Sequence, residues 1–279
     1  MNMKNNTDFW DQRRGKIFSS KGGWRIGKGV FNHGHSMMDD FVGKTSYMQV
    51  VMLNATGRLP ERRLADWLDA VFICLSWPDP RIWCNQIGAL AGTTQTSVMA
   101  ATCAGALAAD ARGYGVRPLL DGLTFIQQAY KQFETGATIE EIVLSGKRGR
   151  KGKPDIMGYA RPIAKGDERI TAMIRVSDEL GFQSGNHLIL AFSIEDYLSE
   201  NFDESMNING YVSAFLSDQG YTPEECYRMF STLVASGVTA CYVDTRDKTP
   251  NSFLPLRCED IDYQGVSARP VPDTNVDNY

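Results

Sequence analysis

The run from Gln86 to Asp110 constrains this chain most. Nearly every side chain in it is small: Gly88, Ala89, Ala91, Gly92, Ala100, Ala101, Ala104, Gly105, Ala106, Ala108 and Ala109 recur through it, and its one charge is Asp110 at the end. A helix this small and apolar is expected to be buried on most sides, by neighbouring helices that come in close. The run is therefore expected to form the centre of the core and to end in the interior at Asp110-Ala111-Arg112-Gly113-Tyr114-Gly115.

Around it the apolar residues fall at helical spacing. Thr45 or Ser46 caps a helix through Tyr47, Val50, Val51 and Leu53, stopped at Gly57-Arg58-Leu59-Pro60. Pro60 starts the next, with Leu64, Trp67, Leu68, Val71 and Leu75 on one face. Further helices are expected over Leu119 to Phe133, from Thr138, over Glu168 to Leu180, over His187 to Leu198, over Gly210 to Leu216, and from Thr222-Pro223 through Ala240. A short strand is expected at Trp24 to Val30, and residues 1–22 and the proline-rich tail read as arms. The fold class expected is all-α.

Composition narrows the function. Of 279 residues 43% are hydrophobic and 22% charged, with a net charge of -4, so bulk charge gives no reason to expect nucleic acid or membrane as partner. The longest apolar runs, such as Ala70 to Leu75, are too short for a bilayer, and the polar N-terminus lacks a signal-peptide core. The six cysteines form no CxxC pair and read as reduced residues of a cytoplasmic protein. Three histidines, His33, His35 and His187, are too few for a zinc site beside them, and no metal is expected.

Four places carry candidate chemistry. Met157 to Arg169 follows the basic run Lys147-Arg148-Gly149-Arg150-Lys151-Gly152-Lys153, so backbone amides and mobile cations converge on a turn suited to an anion, or else form a solvated loop. In Trp77-Pro78-Asp79-Pro80-Arg81-Ile82-Trp83-Cys84-Asn85, two prolines brace a loop that offers Asp79 as a general base with Arg81 and Asn85 as a clamp, or closes on an internal Asp–Arg pair. His33 and His35 could titrate near neutrality or sit in a surface turn; His187 reads as structural. Arg112 ends the small-residue run, as a bidentate carboxylate or oxyanion binder or as a helix-end arginine.

Several segments resemble the citrate synthase/citryl-CoA lyase superfamily, in the right order over about residues 24–265. His33 to Tyr47 looks like its Arg-Gly-Tyr-Asp-Ile-x-Asp-Leu-x-Gly-x-x-Ser-Phe segment, and Gly57-Arg58-Leu59-Pro60 like Gly-x-Leu-Pro. Ala109 to Gly115 stands where a helix runs into His-Gly-Gly-Ala. Gly158-Tyr159-Ala160 with Asp167-Glu168-Arg169 stands for Gly-aromatic-Gly-His followed by Asp-Pro-Arg, and Asn207-Ile208-Asn209-Gly210-Tyr211 for Asn-Val-Asp-Phe-Tyr. Gly220-Tyr221-Thr222-Pro223 and Gly237-Val238-Thr239-Ala240 match Gly-Ile-Pro and Gly-Trp-x-Ala.

The resemblance implies a homodimer with a large helical domain, residues 1–112 and 213–279, a small one, 113–212, and a site in the cleft between them. The catalytic set departs from the pattern. The first histidine is Arg112, or Asp121 on a slipped alignment; the second is Ala160; the aspartate is Asn209; Val234 replaces one carboxylate arginine, whereas Arg169 keeps its place and Arg257 approximates another. The implied function is a remodelled enzyme acting on a small carboxylated substrate and/or acyl-CoA, by carbon–carbon bond formation or cleavage or by acyl transfer, in specialised metabolism. The alternative is a non-catalytic dimeric ligand-binding or scaffold protein of the same fold. In the enzyme, Arg112, Asp79, His35 and Asn209 would be catalytic. Arg169, Arg81, Asn85, Tyr159, His33 and Arg257 would bind substrate, and Lys147, Arg148, Arg150, Lys151 and Lys165 would hold CoA phosphates. No tightly bound cofactor is expected. The Arg112 guanidinium is expected to lie buried in the cleft beside Arg169 and Asn209.

Overall fold

The computed structural model describes residues 7–146, 149, 152–160 and 166–271. A short α1 (Asp8–Asp11) leads into an antiparallel sheet of β1 (Gly22–Arg25), β2 (Gly29–Asn32) and β3 (His35–Ser36). Trp24 and Val30, expected in one strand, instead face each other across a hairpin whose turn includes Gly27 at φ 71°. A π-helical turn, Met37–Phe41, joins this sheet to α2 (Tyr47–Thr56) and α3 (Arg62–Cys74).

The small-residue run is two helices, α4 (Trp83–Thr93) and α5 (Val98–Ala108), rather than one. They are parted at Gln95, which sits at φ 64°, and Ser97 restarts the helix by accepting the Ala100 N–H. A two-residue ribbon follows, β4 (Asp110–Ala111) against β5 (Tyr114–Gly115), then α6 (Arg117–Glu134) and α7 (Ile139–Leu144). The remaining helices are α8 (Glu168–Glu179), α9 (Asn186–Phe202), α10 (Ile208–Asp218), α11 (Pro223–Met229) and α12 (Ala235–Arg246), with a 3-10 turn at Cys258–Asp260 in the tail. The helix expected from Thr222 through Ala240 is thus broken between α11 and α12. The expected boundary at residue 212 falls inside α10, which runs on unbroken. None of the described helices is long and apolar enough to cross a membrane.

The core gathers on α10, where Ile208 and Gly210 to Ser217 are all buried. Trp67 stacks on Phe215 with ring centroids 3.8 Å apart, and its Nε1 donates to Ser177 Oγ at 2.9 Å, which in turn meets Tyr211 Oη at 3.0 Å. An indole buried this way contributes apolar area while its one polar atom stays bonded.

The small residues serve a different packing. A Cβ on Gly92 would stand 2.1 Å from Thr245 Oγ1 and 2.4 Å from the Tyr242 carbonyl oxygen, and one on Gly105 2.6 Å from Val238 Cγ1. They let α12 lie close on α4 and α5. That close approach covers one face only: in α5 just Ala101 and Gly105 are buried, whereas Met99 is 69% exposed and Leu107 77%. Burial on most sides is therefore corrected to burial on one.

Candidate functional site

The site grows from the N-terminus of α10. Asn207 caps the helix by accepting the N–H groups of Asn209 and Gly210, and its Nδ2 donates to the Ala160 carbonyl at 2.7 Å. The turn at 158–160 is held there by its backbone: Asn207 N donates to Gly158 O at 2.9 Å and Ala160 N to Ser205 O at 2.8 Å. Gly158 sits at φ 97°, and a Cβ on it would meet Gly210 Cα at 2.7 Å, so each glycine makes room for the other's backbone. Ala160 adopts φ 77°, a left-handed conformation that a residue with a Cβ rarely takes.

Asp167 ties this turn to α8. Its side chain is fully buried and accepts Arg169 Nε at 2.7 Å, Arg169 Nη2 at 2.6 Å and the Ile208 N–H at 2.8 Å. Burial alone would raise its carboxyl, but the Arg169 guanidinium and the backbone donors outweigh it and hold the group below the usual carboxylate range. Arg169 is therefore braced by its own neighbour.

Asn209 joins α10 to the start of α6. Its Nδ2 donates to the Pro118 carbonyl at 2.8 Å, and its Oδ1 accepts from Ser213 Oγ at 3.2 Å. Gly122 makes this contact possible, since a Cβ there would lie 2.7 Å from Ser213 Oγ. A carboxylate at 209 would face the Pro118 carbonyl with no proton to give. The amide is the side chain that fits, and it is not a base.

At the start of α6 an open surface pocket of about 460 Å³ is lined by Asp110, Arg112, Arg117 and Asp121, the first three of them exposed. Asp110 accepts from Tyr227 Oη at 2.7 Å. The side chains of Arg112, Arg117 and Asp121 make no hydrogen bond or ion pair among the described residues. The expectation of a buried Arg112 is corrected: the residue is exposed at the tip of the β4–β5 ribbon. The small-residue helix does end inside, at buried Ala109, but Val116 N then donates to Ala109 O at 2.8 Å and folds the intervening loop outward. Arg112 bonds neither Arg169 nor Asn209.

Other candidates lie elsewhere. Asp79 and Arg81 close on each other, with Arg81 Nη2 to Asp79 Oδ2 at 2.6 Å, and the guanidinium holds the Asp79 carboxyl low. That pair is the internal brace rather than a poised base. Asn85 is buried and donates to the carbonyls of Trp77 and Asp79, pinning the loop instead of facing a ligand. Tyr159 is a core anchor, buried, its Oη donating to Ala191 O at 2.9 Å, and burial raises its hydroxyl. His33 Nδ1 lies 2.7 Å from Asn32 Oδ1 while its Nε2 is buried without a hydrogen-bond partner among the described residues, and the His35 ring packs on Phe41. Arg257 is exposed in the tail, its N–H bonded to Asp260. His187 Nδ1 lies 2.9 Å from Asp218 Oδ1, at the start of α9. Lys147, Arg148, Arg150, Lys151 and Lys165 lie outside the described residues.

Sequence reasoning missed Arg117 and Asp110 and left Asp121 as a second choice. The signal for Arg117 and Asp121 was an Arg and an Asp four apart at the start of a helix with proline in its first turn, which places both on one face.

No family model matches the chain, and no curated protein matches it. Solved structures do. Citryl-CoA lyase from Hydrogenobacter thermophilus superposes at a TM-score of 0.76 with 21% identity, over 92% of this chain and 97% of that one. ATP citrate lyase from Methanothrix soehngenii, in complex with citrate and coenzyme A, gives 0.73 and 17%, over 96% of this chain and 45% of that one. Citrate synthase from Thermotoga maritima gives 0.57 and 16%, over 81% of this chain and 60% of that one. The chain has the fold of the citrate synthase/citryl-CoA lyase superfamily.

Proposed function

We propose that the chain is an enzyme of citrate-synthase type with a remodelled site, acting on a small carboxylated substrate and/or an acyl-CoA by carbon–carbon bond formation or cleavage or by acyl transfer. The observation that carries this reading is the pair of guanidinium groups, Arg112 and Arg117, unpaired by any described carboxylate and lining one open surface pocket at the start of α6. Two such groups suit a carboxylate or a developing oxyanion. A neighbour of the same fold binds citrate and coenzyme A, and another binds (3S)-citryl-CoA, which supports the substrate class.

The active form in this reading is a homodimer, with a large domain of residues 1–112 and 213–279 and a small one of 113–212. Its support is the bare apolar side of α4 and α5, with Trp83 60% exposed besides Met99 and Leu107. Arg257, on the exposed tail, would then serve the partner's cavity, and Lys147, Arg148, Arg150, Lys151 and Lys165 would meet CoA phosphates as point charges. Six free cysteines suit a reducing, cytoplasmic setting.

A second reading, a non-catalytic ligand-binding or scaffold protein, is favoured by one feature: Ala160 and Asn209 put no acid or base at two positions that the sequence resemblance aligns with catalytic ones. Thermal-shift and turnover measurements with CoA, acetyl-CoA, citrate and oxaloacetate separate the two. The enzyme reading expects stabilisation by a CoA species and turnover of an added thioester. Arg112→Lys should then weaken binding or turnover about tenfold, or ~1.4 kcal/mol, with the melting temperature unchanged. Stabilisation without turnover favours the second reading, and no response to any CoA species removes the CoA part.

A further inference from the structure

Resting on the enzyme reading above, we infer that Asp121 is the group that moves the proton in this cavity, in place of the side chain at position 209. The inference comes from which carboxylates are committed. Asp167 is held by Arg169 and the Ile208 N–H, Asp79 by Arg81, and Asp110 by Tyr227. Asp121 lines the same cavity as two arginines and accepts no hydrogen bond from any described residue.

Its placement fits the task. Asn209 is anchored to the Pro118 carbonyl in the first turn of α6, and Asp121 follows Pro118 by three residues, about one helical turn. Arg117 and Asp121 are four apart and so share a face, which brings a proton acceptor beside a cation. The amide at 209 ties α10 to α6, and the carboxylate of Asp121 stands on α6.

The step balances without a co-reactant. An Asp121 carboxylate oxygen takes a proton from the carbon next to the thioester carbonyl. The C–H pair becomes the second bond between the two carbons, and the carbonyl π pair moves onto oxygen. The resulting enolate oxygen faces Arg112 or Arg117. In the cleavage direction the protonated Asp121 returns its proton to the enolate carbon.

The test is α-proton exchange with the full chain in D₂O, using acetyl-CoA and propionyl-CoA with and without oxaloacetate, read by mass spectrometry. The wild type should incorporate deuterium. Asp121→Asn should slow it about 100-fold or more, with thioester affinity by calorimetry little changed. Exchange by Asp121→Asn at the wild-type rate overturns the inference and leaves the enzyme reading standing. Should that variant fail to fold, Asp121→Glu decides: a loss of about tenfold or more supports the role, and an unchanged rate overturns it. Absence of exchange in the wild type overturns this inference, and the turnover measurements above then decide the enzyme reading separately.

Discussion

Two Asp-x-Arg triplets, Asp79-Pro80-Arg81 and Asp167-Glu168-Arg169, close into nearly the same fork. In each, Nη2 of the arginine donates to Asp Oδ2 at 2.6 Å, Nε donates to Oδ1, and the arginine N–H donates to the same Oδ1. The motif is local and forms wherever the chain places it. What differs is the setting. Arg81 is 87% exposed, and its pair ends where it began. Asp167 is fully buried and also accepts the Ile208 N–H, so its fork ties the start of α8 to the start of α10. The same three residues make a loop brace in one place and a keystone of the candidate site in the other.

The sharpest break in this comparison is Asp167→Asn. It leaves the Arg169 charge largely buried without its partner and weakens the α10 N-terminus, a loss of about 3–5 kcal/mol. Urea unfolding at neutral pH should show it. Acid tests the same pair. The Asp167 carboxyl is depressed in the folded chain, so its contribution is fully present above the unfolded value of about 4 and is lost as pH falls from there through the folded value. Wild-type stability should fall across that window more steeply than that of Asp167→Asn. Equal slopes would show that the fork contributes nothing to folding.

A smaller effect is expected at Asn209, the other link between α10 and its neighbours. Asn209→Asp places a carboxylate against the Pro118 carbonyl and should cost about 1–3 kcal/mol at neutral pH. The cost should shrink as pH falls, because the protonated acid can donate where the amide did. Melting curves across pH read this directly. A variant as stable as the wild type at neutral pH, or one whose deficit deepens in acid, would remove the Asn209–Pro118 tie.

What could be read in the chain follows the same division between local and distant causes. The helix starts expected at Thr45 or Ser46, at Thr138 and at Thr222 form as capping boxes, Ser46/Gln49, Thr138/Glu141 and Thr222/Glu225, since each is complete within four residues. The all-α class followed from the apolar period and the near absence of strand alternation. The break at Gln95 did not, because alanine and glycine carry too little contrast to show where a helix stops. Nor did the bare side of α5, since small residues promise close approach without saying on how many faces. Arg112 was found as a cavity residue but given the wrong orientation. Its direction depends on the Val116–Ala109 hydrogen bond, which closes a loop of residues that are polar and apolar alike. Arg169 was singled out, but its brace was not, although Asp167 stands two positions away.

The smallest effect is expected at the exposed fork, and its smallness is the point. An ion pair open to water gains little, and salt screens most of that. Arg81→Ala should leave the melting temperature indistinguishable from that of the wild type, at low salt and at high. Asp79→Asn should do the same, since Asn85 reaches the Trp77 and Asp79 carbonyls and holds the loop through its backbone. Asn85→Ala is the control that loosens the loop. If the fork serves only as a brace, neither charge variant should change turnover of a thioester the wild type accepts. A loss of turnover in Arg81→Ala with an unchanged melting temperature would give the exposed triplet a role in substrate binding, and the two forks would then differ in their ligand rather than in their burial.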